Sequence, residues 1–500
     1  MNSERAGKTR TMLSAIAKLL QDDQSDCRIL VCTPSHTAAD VVTLRLGKMM
    51  ASMYQRQEIK SRDTSHGARS DSLDDKNKSL VRRHLFRLLD ADRPVEALPV
   101  AVLSYCRQDE SGTFCLPQAP ELFQFRVIVC TCVDAHFLYR VGLTNQQLRL
   151  RRQDFRDVLL QQCGPVNLKM QGMAGVDVPH FTHLLVDEAA QATEPELLIP
   201  LSVVVDPDPA SSARKVEIAL VGDPRQLSPN VYSDAAAAGG LGRSWMERLL
   251  LRPVIALGGG RNHMLGLDLA NMEDWLHAAM RENLSVFLTQ NYRGHPSFLM
   301  VPSPLFYYDK LQSVYTNEKD NNFWCTVLRW IECLSKPVEL HSSEENASLS
   351  LRQRKRFDWP IHFVGVLGKD SSVTLHSGFA SNSWCNEAEA KVVLDIVVAL
   401  SEKNVPTQSI GVMAPFRGQV ALIRNLLRDK NLGAINVGIV EDYQAVERDV
   451  IVLSLTRSTK LMLAHDMKRR IGVFGQAKRS NVALTRAENL FIVVSLHFNH

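Results

Sequence analysis

The sequence predicts an α/β protein with parallel sheets in two tandem lobes, each interrupted by helical or irregular insertions. Short runs rich in Val and Ile recur along the 500 residues and do not alternate with polar residues. Such runs are typical of strands that are buried on both faces of a parallel sheet. Amphipathic stretches separate them, and alternating strands and helices indicate an α/β fold. The predicted strands are Arg28–Cys32, Val127–Cys130, Leu184–Val186, Val216–Val221, Ile410–Met413, Val450–Leu455 and Leu490–Leu496, and the clearest helices are Lys8–Leu20 and Gly418–Arg428.

The division into lobes follows from length and from stretches that break the pattern. One hydrophobic core rarely serves 500 residues, so we predict a first lobe over residues 1–285 and a second over 286–500. Polar, partly basic stretches near 48–122 and 137–178 are predicted insertions in the first lobe, and one near 316–360 in the second. Their basic clusters are either solvated faces or phosphate contacts, and charge runs are more often the former.

Composition excludes several classes of protein. The chain is 45% hydrophobic and 22% charged, with a net charge of +4, which is compatible with a polyanionic partner without establishing one. The ten cysteines include no C-x-x-C pair, so a disulfide framework or a zinc site is not expected. No apolar run approaches the roughly 18 residues of a membrane span, and the first residues lack a signal pattern. Composition therefore indicates an intracellular protein without a membrane partner and does not separate the cytoplasm from the nucleus; of the two, we expect the cytoplasm.

The first candidate site is the sequence Gly7-Lys8-Thr9 at the start of a predicted helix. A phosphate-binding loop needs backbone N–H groups around the phosphates, a Lys for the β- and γ-phosphates and a hydroxyl for Mg²⁺. The full motif would have a further Gly at position 2, which is Asn2 in this chain. These three residues alone are therefore weak evidence of a nucleotide site.

Asp187 and Glu188 directly follow a predicted buried strand. The carboxyl ends of parallel strands are where α/β sheets bind ligands, so an Asp there can hold Mg²⁺ and the adjacent Glu can polarise an attacking water. The alternative is that both acids cap the next helix. A third strand ends in Gly222–Leu227, which is turn chemistry by itself, although Gln226 could contact a γ-phosphate.

In their order and amino-acid sequences, these segments resemble the motifs of superfamily 1B helicases of the up-frameshift-like group. Within that group the resemblance is to Armitage-type RNA helicases and to helicases with zinc-finger domains. Single motifs of this length are weak evidence, but their shared order along nearly the whole chain is specific. The matching segments are Gly7–Thr9, Thr33–Asp40, Cys130–Cys132, Asp187–Gln191, Gly222–Leu227, Gln290–Pro296, Ala414–Gln419, Val440–Glu447 and Asn481–Ala487.

The resemblance implies two tandem RecA-like P-loop NTPase lobes that hydrolyse ATP with Mg²⁺. In that family Glu188 would be the general base and Gln226 the sensor of the γ-phosphate. Arg293 and Arg486 would be arginine fingers, because a guanidinium stays charged and binds phosphate through two nitrogens. The residues implied to bind ATP are Gly7, Lys8, Thr9, Tyr292 and Glu447, with Thr9 and Asp187 on Mg²⁺.

The same resemblance implies movement along single-stranded RNA in the 5′-to-3′ direction, with partner proteins from RNA silencing or RNA decay. Pro34, Ser35, Thr37 and Thr131 would contact the backbone of the strand, which carries no sequence information. For each of the four, a turn or helix-capping role is the alternative. DNA stays open as the polymer, because hydroxyl contacts of this kind do not by themselves select the 2′-OH.

Departures from the family pattern at Asn2, at Ala445 and before Gly7 support a rival hypothesis, a catalytically weak scaffold that binds RNA or protein. No strand precedes Gly7, so a truncated form with an exposed apolar sheet edge is expected. Ala445 stands where the family has Gly, and Glu488 stands where a basic residue is usual. RNA-stimulated ATP turnover distinguishes the scaffold from the motor.

Overall fold

The computed structural model describes residues 7–21, 27–62, 71–151, 180–208, 215–250, 285–314, 360–377, 379–444 and 446–496. Most of two predicted insertions, from 152 to 178 and from 316 to 359, and also Ala445, lie outside the described residues. The chain forms two compact units. The first comprises Gly7–Pro224 and Ser228–Val286, and the second comprises Phe287–His500 with the short segment Arg225–Leu227.

The first unit contains a five-stranded sheet in the order β2-β3-β1-β4-β5, and every pair in it is parallel. The carboxyl ends of its strands therefore lie at one edge, where Thr33 is in register with Thr131. The strands are β1 (Ile29–Thr33), β2 (Leu85–Arg87), β3 (Val127–Thr131), β4 (His183–Val186) and β5 (Glu217–Leu220). The helices are α1 (Gly7–Gln21), α2 (His36–Arg62), α3 (Asp71–His84), α4 (Val100–Leu103), α5 (Ala119–Leu122), α6 (His136–Arg140), α7 (Glu194–Val204), α8 (Asp234–Ala236) and α9 (Trp245–Leu250).

Apolar side chains cover both faces of this sheet, which explains why the strand sequences do not alternate. On one face, residues of α1 and α2 such as Ile16 and Leu46 pack against Val31 and Val129. On the other face the strands bury Leu30, Ile128 and Leu184 with residues of α7. Cys32 and Cys130 are fully buried in that second layer and act there as small hydrophobic residues.

The strand β5 differs from the other four strands of the sheet because it is mostly exposed to solvent. Ile218 is 41% exposed, whereas every residue of β1, β3 and β4 is buried. Within the described part of the chain, β5 pairs only with β4. Among the described residues, its other side is thus a sheet edge with an apolar side chain and with backbone groups able to pair with another strand.

The second unit has its own five-stranded parallel sheet, in the order β12-β11-β13-β14-β8. A short parallel pair, β6 with β7, and an antiparallel hairpin, β9 with β10, were not predicted. Strands β8 and β12 of the sheet were not predicted either. The strands are β6 (Gln290–Asn291), β7 (Gln312–Ser313), β8 (Ile361–Val366), β9 (Asp370–Ser377), β10 (Phe379–Asn386), β11 (Ile410–Met413), β12 (Asn436–Gly438), β13 (Arg448–Ser454) and β14 (Ala487–Leu496). The helices are α10 (Pro302–Phe306), α11 (Glu387–Glu402), α12 (Arg417–Asp429), α13 (Lys460–Arg469) and α14 (Ala477–Leu484).

Helices α11 and α12 cover one face of the second sheet, where Val393 and Ile423 pack against Val412 and Val452. The other face buries a separate apolar cluster that includes Tyr443 and Phe491. Each unit is thus an α/β lobe with a parallel sheet covered on both faces, which confirms the predicted fold class. No helix in the described ranges is both long and apolar enough to span a bilayer.

Candidate nucleotide and nucleic-acid sites

The predicted phosphate-binding residues of the first unit lie at the carboxyl edge of its sheet. Helix α1 begins at Gly7, and Lys8 and Thr9 occupy its first turn. The Thr9 hydroxyl donates a hydrogen bond of 3.1 Å to Asp187 Oδ2, just past β4. The Lys8 Nζ lies 3.7 Å from Asp223 Oδ2, just past β5. The start of α1 is therefore tied to the ends of two neighbouring strands.

Asp187 and Glu188 occupy a tight turn rather than a helix cap. Asp187 is 3% exposed and accepts a hydrogen bond from the Glu188 N–H at 3.0 Å. Glu188 has a φ of 53°, a left-handed conformation that is uncommon outside glycine, and Gln191 Nε2 donates to its carboxylate at 2.8 Å. The next helix, α7, has Thr193 as its N-cap. The capping alternative for the acidic pair is therefore excluded.

Burial, and next the neighbouring Glu188, raises the pKa of Asp187 to about 6, although Lys8 and Thr9 oppose that shift. At neutral pH the site thus holds a buried carboxylate whose negative charge is only partly balanced. The donor set consists of a hydroxyl oxygen and a carboxylate oxygen, which are ligands that Mg²⁺ prefers. Thr9 and Asp187 therefore fit a magnesium ion, which would supply charge neutralisation for bound phosphate oxygens.

The raised pKa of Asp187 predicts a pH-dependent cost to stability. The native carboxyl binds its proton more tightly than the unfolded one, so stability falls as pH rises from about 4 to about 6. Without added nucleotide or divalent cation, Asp187→Asn is expected to raise the free energy of unfolding by about 2 kcal/mol at pH 7.5. Urea unfolding at pH 7.5 and pH 4 measures this. An advantage of equal size at both pH values would contradict the prediction.

Gly222, at the end of β5, allows the backbone to approach the acidic turn closely. A Cβ there would lie 2.9 Å from the backbone nitrogen of Ala190 and 2.9 Å from Met246 Sδ. Gly222→Ala is expected to displace the turn that holds Glu188, with a loss of about 1 to 3 kcal/mol in stability. ATP turnover should fall by at least tenfold. Gly239→Ala is the matched control, because nothing lies within 4 Å of its Cβ position; equal turnover in the two variants would refute the expectation.

In the second unit, Arg293 and Glu447 form an ion pair, so two of the predicted site residues are together. Arg293 Nη1 also donates to the carbonyl of Thr485 at 3.1 Å, and its backbone N–H donates to Asn291 Oδ1 at 2.8 Å. Arg293 is therefore held beside the residue that precedes Arg486. The structure brings these three predicted residues to one place in the second unit.

The other predicted residues of the second unit differ in exposure. Arg486 is 2% exposed, and its guanidinium donates to the Val482 carbonyl at 3.2 Å and to the Thr485 hydroxyl at 2.9 Å. Tyr292 is exposed and its hydroxyl donates to Gln290. Gln226 is buried in the segment Arg225–Leu227. Of the three, only Tyr292 is exposed to solvent.

The predicted nucleic-acid contacts of the first unit follow β1 and β3. Ser35 and Thr37 are exposed, and Pro34 is half-buried, in the turn that begins α2. The Ser35 hydroxyl accepts the Ala38 N–H at 3.3 Å, so it also caps that helix. Thr131 is buried and accepts the Asp134 N–H at 2.9 Å. The loop after β1 is therefore exposed to solvent, whereas Thr131 is buried and stabilises the turn after β3.

Several residues around these sites were missed by sequence reasoning. Asp223 is the partner of Lys8, and its position just after an apolar predicted strand is similar to the signal that identified Asp187. Beneath the loop after β1, the buried Asp40 carboxylate accepts from Arg87 Nε at 3.1 Å and from Arg93 Nη2 at 2.7 Å. No local pattern marks that cluster, because Arg87 and Arg93 lie far from Asp40 in sequence.

A Gly-Lys-Thr helix start tied to a buried carboxylate at a strand end, in one of two parallel-sheet α/β lobes, is the arrangement typical of one class of protein: P-loop NTPases with tandem RecA-like lobes. Two family models, each described as "AAA domain", match residues 166–234 and 269–497. Together they extend over parts of both predicted lobes.

The chain is similar to three named relatives, each over 98% of its length. It is 31% identical to "RNA helicase Mov10l1" of Homo sapiens and 28% identical to "Probable RNA helicase armi" of Drosophila melanogaster. It is 25% identical to "Probable helicase with zinc finger domain" of Homo sapiens. The matches cover 31%, 34% and 19% of those proteins, so the chain spans about a third of their lengths or less. In sequence, the chain resembles the superfamily 1 helicases of the up-frameshift-like group.

Proposed function

We propose that this chain is the motor of an ATP-dependent RNA helicase or RNA–protein remodelling translocase. The observation that carries the proposal is the cluster of Lys8, Thr9, Asp187 and Glu188 at one sheet edge. A cationic amine, a hydroxyl and two carboxylates are the groups that phosphoryl transfer to water requires. Two of the similar proteins are named RNA helicases, which supports RNA as the polymer.

In this proposal the chain's residues divide the work of ATP hydrolysis. Lys8 and the N–H groups at the start of α1 hold the phosphates, and Glu188 accepts the proton of the attacking water. Arg293 and Arg486 stabilise the charge that develops on the transferred phosphoryl group. The remaining roles belong to Gln226, which senses the γ-phosphate, and to Tyr292 and Glu447, which contact the base and the ribose.

The exposed loop after β1 supports a nucleic-acid contact. Ser35 and Thr37 present hydroxyls beside the half-buried Pro34, a set suited to sugar and phosphate oxygens. Thr131 contributes by holding the turn after β3 rather than by direct contact. We further propose 5′-to-3′ movement on single-stranded RNA, partners from RNA silencing or decay, and a cytoplasmic location, in keeping with the family.

ATP turnover with matched RNA and DNA oligonucleotides of identical sequence tests the proposal. We expect RNA to raise turnover at least tenfold and DNA to raise it less. Equal or greater stimulation by DNA would replace RNA with DNA as the polymer. RNA binding without any stimulated turnover would instead favour the scaffold hypothesis.

A further inference from the structure

Helix α13 is weakly packed for a helix of ten residues. Asp466 is its only buried residue, while Leu461 is 79% exposed and Met467 is 57% exposed. Helices in globular proteins are usually stabilised by burying an apolar face. Burial of apolar side chains therefore does not explain how α13 is held in place, and its outer face is exposed to solvent.

One buried ion pair anchors the helix. Arg457 donates to both oxygens of Asp466, at 2.6 Å and 2.7 Å, and to Asp370 at 2.9 Å. The planar guanidinium also lies over two aromatic rings, 4.3 Å from the centre of Trp384 and 4.6 Å from that of Phe416. Bidentate pairing and contact with two rings fix the direction of an arginine closely. The position of α13 is thus set by polar geometry.

The backbone that presents Arg457 is strained. Thr456 has a φ of 70°, and the Arg457 N–H donates to the Leu455 carbonyl at 2.8 Å, which closes a three-residue turn. A β-branched residue in this conformation is a clear outlier. The buried Glu389 carboxylate stabilises the turn by accepting the Thr456 N–H at 2.8 Å. Strain that the surrounding structure maintains is commonly found at functional sites.

The charges on the outer face of α13 are nearly all positive. Lys468, Arg469 and Arg470 are exposed, as is Lys460 in the first turn. The acidic residue of the helix, Asp466, is buried on Arg457 and does not offset them. Cations in the last turn also suit the helix dipole. Lys468, Arg469 and Arg470 are consecutive and exposed, so they concentrate positive charge at the end of α13.

We propose that α13 and the turn after it form a second-lobe contact for the phosphate backbone of single-stranded nucleic acid. The charge complementarity of the exposed cations with phosphates favours this partner. The position also fits, because α13 follows β13 at the carboxyl edge of its sheet. In the first unit, the exposed loop with Ser35 and Thr37 follows β1 at the equivalent edge. The inference rests on the proposed function, which supplies the strand to be bound.

The test replaces Lys468, Arg469 and Arg470 together by Gln and measures affinity for a fluorescent oligo(U) strand by anisotropy over a range of salt concentrations. Losing three phosphate contacts should weaken binding by about tenfold or more and reduce the slope of log affinity against log salt by about 2. ATP turnover without RNA should stay unchanged, because these residues lie outside the nucleotide site. The matched control replaces Lys403, Arg428 and Lys430 by Gln, which removes the same charge from the ends of α11 and α12.

Equal affinity and equal salt slope in the test and control variants would overturn the inference. A loss of affinity with no change in slope would also overturn it, because it would show a contact other than phosphate pairing. The proposed function fails by a separate result, the absence of RNA-stimulated turnover in the unaltered chain. Binding of oligo(U) by that chain keeps the α13 contact testable even in that case.

Discussion

Glu188→Gln is expected to reduce RNA-stimulated ATP turnover by about a thousandfold, the largest effect on activity of any single change in the chain. Glutamine keeps the size of the side chain and can still accept a hydrogen bond from Gln191. It cannot take a proton from water, and removal of a general base typically costs a factor of about 100 to 10,000. Steady-state turnover with saturating RNA measures the effect, and ATP affinity should change little.

Glu194→Gln is the matched control for this change. Glu194 lies in the first turn of α7 and forms a surface ion pair with Arg248, outside the nucleotide site. Its replacement should leave turnover within about twofold of the unaltered chain, since surface pairs contribute little. If Glu188→Gln behaved like this control, the catalytic assignment of Glu188 would have to be abandoned.

Arg457→Met is expected to lower the free energy of unfolding by about 3 to 5 kcal/mol, the largest single effect on stability. Methionine leaves Asp466 and Asp370, both nearly inaccessible to solvent, without their cationic partner. A buried carboxylate without a cationic partner lowers stability, and this variant would leave two such carboxylates close together. The rings of Trp384 and Phe416 would lose their contact with the guanidinium. Urea unfolding followed by circular dichroism provides the measurement.

Arg248→Met is the control, because it also removes an arginine charge but breaks an ion pair that is exposed to solvent. Comparing the two variants shows how much of the stability loss is due to burial. We expect that control to change stability by less than about 1 kcal/mol. A second variant, Arg457→Met with Asp466→Asn, should recover part of the lost stability because it removes one of the stranded charges. A loss below 1 kcal/mol for Arg457→Met would show that the buried cluster does not anchor α13.

The buried strands could be predicted from sequence because they satisfy a simple rule. Ile410–Met413 agrees with the observed β11, and Val127–Cys130 ends one residue short of the observed β3. The hairpin of β9 and β10 was missed because polar residues such as Ser371, Ser381 and Asn382 interrupt any apolar run. β2 was missed because it has only three residues. Strand pairing, rather than local composition, determines such elements.

The site was predictable to a different extent in each unit. Asp187 was identifiable because it directly follows a buried strand, and the carboxyl ends of parallel strands are where α/β sheets bind ligands. The pairing of Arg293 with Glu447 joins residues that are far apart in sequence, and no local pattern reveals it. Thr131 shows the opposite case, since its hydroxyl has the right chemistry for a phosphate contact but is buried in a turn. Solvent exposure follows from tertiary packing, which short motifs do not encode.

The left-handed backbone conformation of Glu188 lowers the stability of the fold at the residue that is proposed to be the general base. Glycine adopts a φ near 53° without the steric penalty that a side chain adds, a difference of about 1 kcal/mol. Stability alone would favour glycine at that position, whereas the proposed general base requires the carboxylate of glutamate. Position 188 is therefore a poor candidate for consensus-based stabilisation. Any engineering of this chain for heat resistance should leave that residue unchanged and look elsewhere for its gains.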